Sequence, residues 1–489
     1  MASPEEALVA AEPSEHVRQA NRPGRKMRAS VITRIMSNLQ RGGMETAVWV
    51  TGLLYLESAP SEEALKQVVM DRLLAMRRFR SRVKVSKVLR RMYWEELDLA
   101  DFDIDYHLQI QDAEKPLSRD GVRSFLENMY ADWEPDMTRS PWQLILLPRL
   151  EEGGALLVSR MNHCIGDGVA MVEILMRLLD PMDEEEKEKA KVRPKRRVKS
   201  RFGPLNKSRI FLKGFFKGFT APIDRDDPPN SFQRKNFVAS TKRRYALTPE
   251  VPLDKIKQIK DKLEGATVND VAMYLLTITL SKFFYEVNDT AVLNGSRTTF
   301  QFPVSLRKRG ESAFRDGEPH NHVGYGYMNL HVTKKPPAEM TDDERLALFW
   351  KIKREIDAVK LSPTPYVMQY NLRALSFLPL KAINKLALTT GNQATSQLSS
   401  VQASPTKVRI AGKTIERMSF TVFSPGSAYC GLISYANQIS LSVCLDSSLG
   451  VDPELVAKHW VPAMDETYAA VMGAEGTTIK MPRPFLDKL

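Results

Sequence analysis

The period of the hydrophobic and polar positions changes several times along the chain, and each change predicts an element. AVWVTGLLYLE (47–57) is apolar and rich in β-forming residues, as a buried strand requires. SEEALKQVVMDRLLAMRRF (61–79) opens with Ser61 ahead of two glutamates and then spaces its apolar residues at helical intervals. SRVKVSKVLRRMYWEEL (81–97) alternates like an exposed strand or hairpin. ALLVSRMNH (155–163) predicts a strand, and GVAMVEILMRLLD (168–180) a helix. Further on, helices are expected over 253–263, 268–286 and 342–359, and strands over 298–307, 327–332, 431–436 and 438–446. No repeat is visible in the sequence.

These elements fall into two groups. A chain of 489 residues exceeds one ordinary domain. The first 29 residues, with Pro4, Pro13 and Pro23, predict a loose tail. A first unit is expected over 30–180 and a second over 245–489. Between them, 181–244 is charged and interrupted by proline and glycine, with a break at DRDDPPNS (224–231). Two α/β (α+β) units joined by a basic crossover is the expected architecture.

Composition narrows the class. Charged residues at 27% and hydrophobic ones at 43% fit a folded protein and exclude a disordered chain, a collagen-like repeat and a polytopic membrane protein. Three widely spaced cysteines, Cys164, Cys430 and Cys444, exclude a disulfide scaffold or zinc cluster and suit a reducing compartment. The net charge of +12 is carried by residues 187–217, which hold 13 Lys or Arg and one acid, Glu188. A solvated basic linker is the plain reading of that segment. Its end, SRIFLKGFFKGF, spaces Phe211, Phe215 and Phe219 four apart and gives Arg209, Lys213 and Lys217 a row of their own. As a helix it would suit an anionic membrane or lipid-droplet surface, though Gly214 and Gly218 weaken the helix. Nucleic-acid binding is not expected, because no recognition fold accompanies the basic run. No secretory signal and no transmembrane helix are predicted: the longest apolar stretch, 271–284, is broken by polar residues and too short to span.

The sharpest chemistry lies at Asn162-His163-Cys164-Ile165-Gly166-Asp167-Gly168, where a strand ends and a helix begins. A histidine held there by rigid backbone, with an ordinary pKa near neutral, is placed like a general base. Asp167 can turn back to hold the loop, and Gly168 allows a sharp turn into the helix. Asn269 and Asp270 read first as an N-cap region for the helix after them. Cys164 points away from His163 by strand alternation. His107, and the pair His320 and His322, lack neighbouring ligands at metal spacing, so no metal is expected.

The sequence resembles the bifunctional wax ester synthase/diacylglycerol acyltransferase family, within the acyltransferases that share an H-H-x-x-x-D-G signature. The resemblance rests on the 162–168 motif together with FDIDYHL (102–108), DMTRSPWQL (136–144), GATVNDVAMYLL (265–276) and PVSLR (303–307) followed by Asn321 and Gly324, in order over roughly 30–460. It implies two chloramphenicol-acetyltransferase-like domains of mixed sheet and helices. It also implies transfer of a long-chain acyl group from acyl-CoA, a co-substrate with no further cofactor, to diacylglycerol or a fatty alcohol. His163 and Asp167 are then the catalytic candidates, His163 as base and Asp167 as the holder of the loop, with Arg307 as its partner. Asn162, Gly168, Asn269 and Asp270 are supporting candidates, Asn269 as oxyanion donor. A cytoplasmic enzyme, peripheral on the endoplasmic reticulum or a lipid droplet, is the implied setting. The sequence departs from the signature at Asn162, where the family has its first histidine, and at Ser399–Ala403, a degenerate form of its C-terminal block. Those departures leave a weakly active or inactive acyl-CoA- and lipid-binding homologue as the alternative.

Overall fold

Strands β1 (Trp49–Leu56), β2 (Leu108–Ile110), β3 (Trp142–Leu147) and β4 (Ala155–Asn162) come from the first half of the chain. β3 is buried at every position and β4 everywhere but Ser159, so both faces are covered and no polar alternation is needed. The computed structural model describes residues 12–30, 33–37, 47–85, 92–131, 133–182, 185, 202–221, 226–235, 237–308, 310–375, 378–391, 393–474 and 478–482. Helix α1 (Gly168–Leu178) buries Ala170, Ile174 and Leu178, an i, i+4, i+8 stripe. Helix α2 (Pro204–Thr220) opens with proline at its first position, where the missing N–H costs nothing.

The second half supplies β5 (Arg243–Leu247), α3 (Val268–Glu286), β6 (Thr299–Ser305), β7 (Val323–Asn329), α4 (Asp342–Leu361), α5 (Thr364–Leu375) and α6 (Leu380–Gly391). It continues with β8 (Ser396–Gln402), β9 (Arg409–Ile410), β10 (Lys413–Phe423), β11 (Ala428–Tyr435) and β12 (Gln438–Asp446). α3 is buried on nearly all sides, so its apolar residues are not confined to one face. Among the described residues no helix is long and apolar enough to cross a membrane.

The strands build two main sheets, in the orders β9-β10-β1-β4-β3-β2 and β7-β6-β8-β11-β12-β5. The expected division at residue 245 therefore needs correcting. β10 leaves the second half and pairs antiparallel with β1, from Phe423 opposite Trp49 to Ile415 opposite Leu56. One apolar core accordingly includes Ile410, Ile415, Met418 and Phe423 beside β1 and β4. β10 has no counterpart among the expected strands, and neither do α5 and α6 among the expected helices.

Two other expectations give way to tertiary contacts. The tail is not wholly loose: within its described part, Lys26–Arg28 pairs with Met92–Glu96, and Val17 is buried. The expected helix over 61–79 begins as predicted, with Ser61 accepting from the Ala64 amide at 3.1 Å, but its α-helical part stops at Val68, widens into a π-helical turn over Val69–Leu73 and gives way to a 3₁₀ turn at Arg77–Arg80. Arginines at and just beyond its end pack against acids: Arg80 meets the buried Glu96 at 2.9 Å and Arg77 meets Glu318 at 3.1 Å.

Gly214 and Gly218 do not break α2; they let it approach α5. A methyl group on Gly214 would lie 2.8 Å from the Pro363 ring, and one on Gly218 2.5 Å from Val367 Cβ. The close approach brings Thr364 Oγ1 to the Gly214 carbonyl oxygen at 2.9 Å and Asn371 Nδ2 to that of Gly218 at 2.6 Å. On a free helix, glycine to alanine stabilises by up to about 1 kcal/mol. Here Gly218→Ala is expected to destabilise by about 1–3 kcal/mol through overpacking, read as a lower unfolding temperature, whereas Leu212→Ala on the exposed face stays within about 0.5 kcal/mol of the parent.

Candidate active site

β4 ends at Asn162, and the chain turns through His163–Gly166 before Asp167 caps α1. Side chains from distant segments hold the carbonyls of this turn one by one. Asn321 Nδ2 donates to the His163 carbonyl at 3.1 Å, Thr33 Oγ1 to that of Cys164 at 3.1 Å, and Arg78 Nη1 to that of Ile165 at 2.6 Å. Inside the turn, Asn162 Oδ1 accepts from the Cys164 amide at 2.9 Å.

Asp167 is the most heavily bonded group of the site. Its carboxylate accepts from the Ala170 amide at 3.2 Å, from the His322 amide at 2.7 Å, and from Arg307 Nη1 at 3.0 and 2.8 Å. Both ion-pair partners are almost fully buried, with 3% and 2% of their side chains exposed. Arg307 also donates to the His320 carbonyl. The sequence-predicted residues Asp167 and Arg307 thus meet, 140 positions apart. These bonds tie the turn at Asp167 to the segments around Arg307 and His322.

His163 lines a cavity of about 140 Å³ between the first sheet, α1 and the second sheet. Val50, Gly52 and Met161 line it from the first sheet, Met171 and Leu175 from α1, and Pro303 and Ser399 from the second. Apart from His163 and Asp167, its polar lining side chains are Ser159, Ser399 and Ser419. Burial lowers the pKa of His163 from 6.5, against the opposing pull of the Asp167 charge and of the neighbouring Asn321 amide, and so favours the neutral imidazole. Its Nδ1 makes no hydrogen bond of good geometry among the described residues, and Arg307 Nε and Asn321 Oδ1 are likewise buried and unpaired there.

The other candidates fall elsewhere or take other work. Asn269 and Asp270 do not line the cavity. They open α3, where Asp270 forms a capping box with Thr267 and an ion pair with the buried Lys353 at 3.3 Å. Asn269, the expected oxyanion donor, lies in the first turn of that helix. Gly168 lines the cavity, yet it has no left-handed φ and nothing crowds its missing Cβ. The tight glycine is Gly166, whose Cβ would sit 2.7 Å from that of Ala170. Asn162 is buried outside the cavity lining. Cys164 is buried too, and burial pushes its thiol up to about 12. His107 stacks between Phe102 and Trp142, its pKa lowered to about 4 by burial. His320 Nδ1 lies 2.8 Å from the Ala313 carbonyl oxygen. No group of three or more His, Cys, Asp or Glu among the described residues is arranged for a metal. Asn321 was legible only as part of a sequence block; Thr33 and Arg78 carry no local signal, because each reaches the loop only in the folded chain.

The family model described as wax ester synthase/diacylglycerol acyltransferase catalytic domain matches residues 39–223, and the family's C-terminal domain model matches 320–467. This chain belongs to the wax ester synthase/diacylglycerol acyltransferase family. A probable diacylglycerol O-acyltransferase of Mycobacterium tuberculosis is 24% identical over 297 residues, covering 58% of this chain and 61% of that one. The chain thus spans, in this match, about three fifths of the relative's length. Among solved structures, the wax ester synthase/diacylglycerol acyltransferase of Marinobacter aquaeolei VT8 superposes with a TM-score of 0.58 at 17% identity, over 91% of this chain and 98% of the other. A trichothecene 15-O-acetyltransferase from Fusarium sporotrichioides gives 0.60 at 11% identity, over 91% and 95%. The mixed α/β, chloramphenicol-acetyltransferase-like fold implied by the resemblance is the fold present.

Removing one member of the buried pair strands the other. Arg307→Met and Asp167→Asn are each expected to cost about 3–5 kcal/mol of stability, measured by denaturant unfolding. The double variant should recover part of that loss, which distinguishes a direct pair from two unrelated defects.

Proposed function

We propose that this family member is an acyl-CoA-dependent O-acyltransferase whose acceptor is a hydrophobic alcohol, diacylglycerol or a long-chain fatty alcohol. The observation that carries the reading is a neutral-leaning histidine in the lining of a mostly apolar cavity. An alcohol is a poor nucleophile until its proton leaves, and His163 would accept that proton as the oxygen attacks the thioester carbonyl. The carbon–sulfur bond then breaks, the new carbon–oxygen bond remains, and the imidazolium returns its proton to the departing CoA thiolate. No acyl-enzyme is required, because the thioester already carries a good leaving group.

The remaining residues support this chemistry from behind. Asp167, Arg307 and Asn321 hold the loop, so His163 needs little reorganisation to act. Ser399 brings a hydroxyl into the same cavity and takes over from Asn269 as the oxyanion candidate. Asn162 accepts a backbone hydrogen bond within the turn, work that needs no titrating group, so its replacement of histidine is compatible with turnover. The name of the mycobacterial relative supports diacylglycerol as one acceptor.

The test is ester formation by purified protein from labelled long-chain acyl-CoA, with diacylglycerol and hexadecanol offered in turn. His163→Ala is expected to lower kcat by about 10²–10⁴-fold, the contribution of a positioned base. Because burial depresses the His163 pKa, the base stays neutral below pH 6.5 and ionises only as pH falls through its lowered value. The acid limb of kcat/KM is therefore expected below pH 6.5. No ester from folded protein that binds acyl-CoA would refute the reading and leave a lipid-binding homologue.

A further inference from the structure

α2 presents two faces of opposite character. Ile210, Gly214 and Gly218 are buried toward α5, while Leu205, Phe211, Leu212, Phe215, Phe216 and Phe219 form one exposed arc. Phe216 is 64% exposed and Phe211 54%. Folded soluble proteins scatter such residues singly, whereas here four phenylalanines share a single helix face. Projected at 100° per residue, Arg209 and Lys213 lie along one margin of the arc. α5 adds the exposed Tyr366 and Tyr370, with Arg373 stacked over Tyr370.

The charge of this region has one sign. α2 and α5 hold Lys207, Arg209, Lys213, Lys217 and Arg373 and no acid, and α6 adds Lys381 and Lys385, again with no acid. On α4, which packs beside α2, Asp357 is already engaged by Lys353 and Lys360. An apolar aromatic face with a basic margin matches the boundary between acyl chains and anionic headgroups. α2 is too short and too interrupted to span a bilayer, so it would lie on the surface.

We propose that α2 and α5 form a docking face for an anionic lipid surface, with the phenylalanine arc inserted and the lysines and arginines at the headgroups. The purpose of the face rests on the acyltransferase reading, since both acceptor classes partition into lipid. Its position suits that purpose. A Cβ on Gly324 of β7 would lie 1.8 Å from the Pro365 carbonyl oxygen, so α5 sits directly on the strand that follows His322. The His322 amide in turn holds Asp167. The part of the basic segment before α2, residues 187–201, lies outside the described residues.

Vesicle flotation of the full chain tests the proposal, with phosphatidylcholine vesicles compared against phosphatidylcholine mixed with phosphatidylglycerol. The wild type is expected to float with the anionic vesicles, less so as salt rises. Arg209→Gln/Lys213→Gln should bind them about 30-fold more weakly, the equivalent of about 1 kcal/mol per basic residue. Phe215→Ser/Phe216→Ser should lose flotation while keeping the wild-type unfolding temperature. Equal flotation of both variants and the wild type overturns the proposal. So does a wild-type dimer, seen by light scattering, that the phenylalanine variant dissolves, because the face would then join two copies of the chain. Flotation needs no turnover, so the two readings fail separately: a floating protein that makes no ester refutes only the enzyme, and an active protein that never floats refutes only the docking face.

Discussion

The buried Asp167–Arg307 pair is the constraint on which the rest of the site depends. Two charges removed from water are costly unless each finds further partners, and Asp167 has two backbone amides besides the arginine. The pair fastens the turn after β4, on the first sheet, to the end of β6 and the start of β7, on the second. Asn321 repeats the link one residue before His322, through the His163 carbonyl. The turn that carries the histidine is thus tied to both halves of the molecule.

β10 makes the same union in the core. By pairing with β1 along its length it places Met418, Ser419 and Phe420 in the wall of the cavity that β4 and α1 also line. The apolar interior and the charged loop therefore meet at one seam between the two sheets. Such a seam suits the proposed reaction between two substrates, because each half can contribute one wall while the loop carries His163, the proposed base, into the cavity lining.

Two glycine contacts extend this logic outward. Gly214 and Gly218 let α2 approach α5, and Gly324 lets α5 rest on β7. Side chains at these three positions would separate the layers, so an aromatic helix face is carried close to the strand beside the site. In sequence alone Gly214 and Gly218 weaken a helix; in the fold they are what allows that helix to pack.

The sequence by itself determined the strands expected over 47–57, 155–163 and 438–446, the helices expected over 168–180 and 268–286, and the motif that sets His163 between strand and helix. Those features are local, written in the period of apolar residues and in short-range caps such as Thr267 with Asp270. The resemblance carried the fold and the pairing of Asp167 with an arginine. Only the tertiary structure decided the rest. It moved Asn269 away from the cavity, gave Asn162 to the turn, brought Thr33 and Arg78 to carbonyls of the loop, and sent β10 across to the first sheet. The last two of these outcomes join residues tens to hundreds of positions apart, and a buried hydrogen bond or strand pairing between such residues leaves no period in the sequence. It exists because closing the fold strips water from both partners, and each must then find the other.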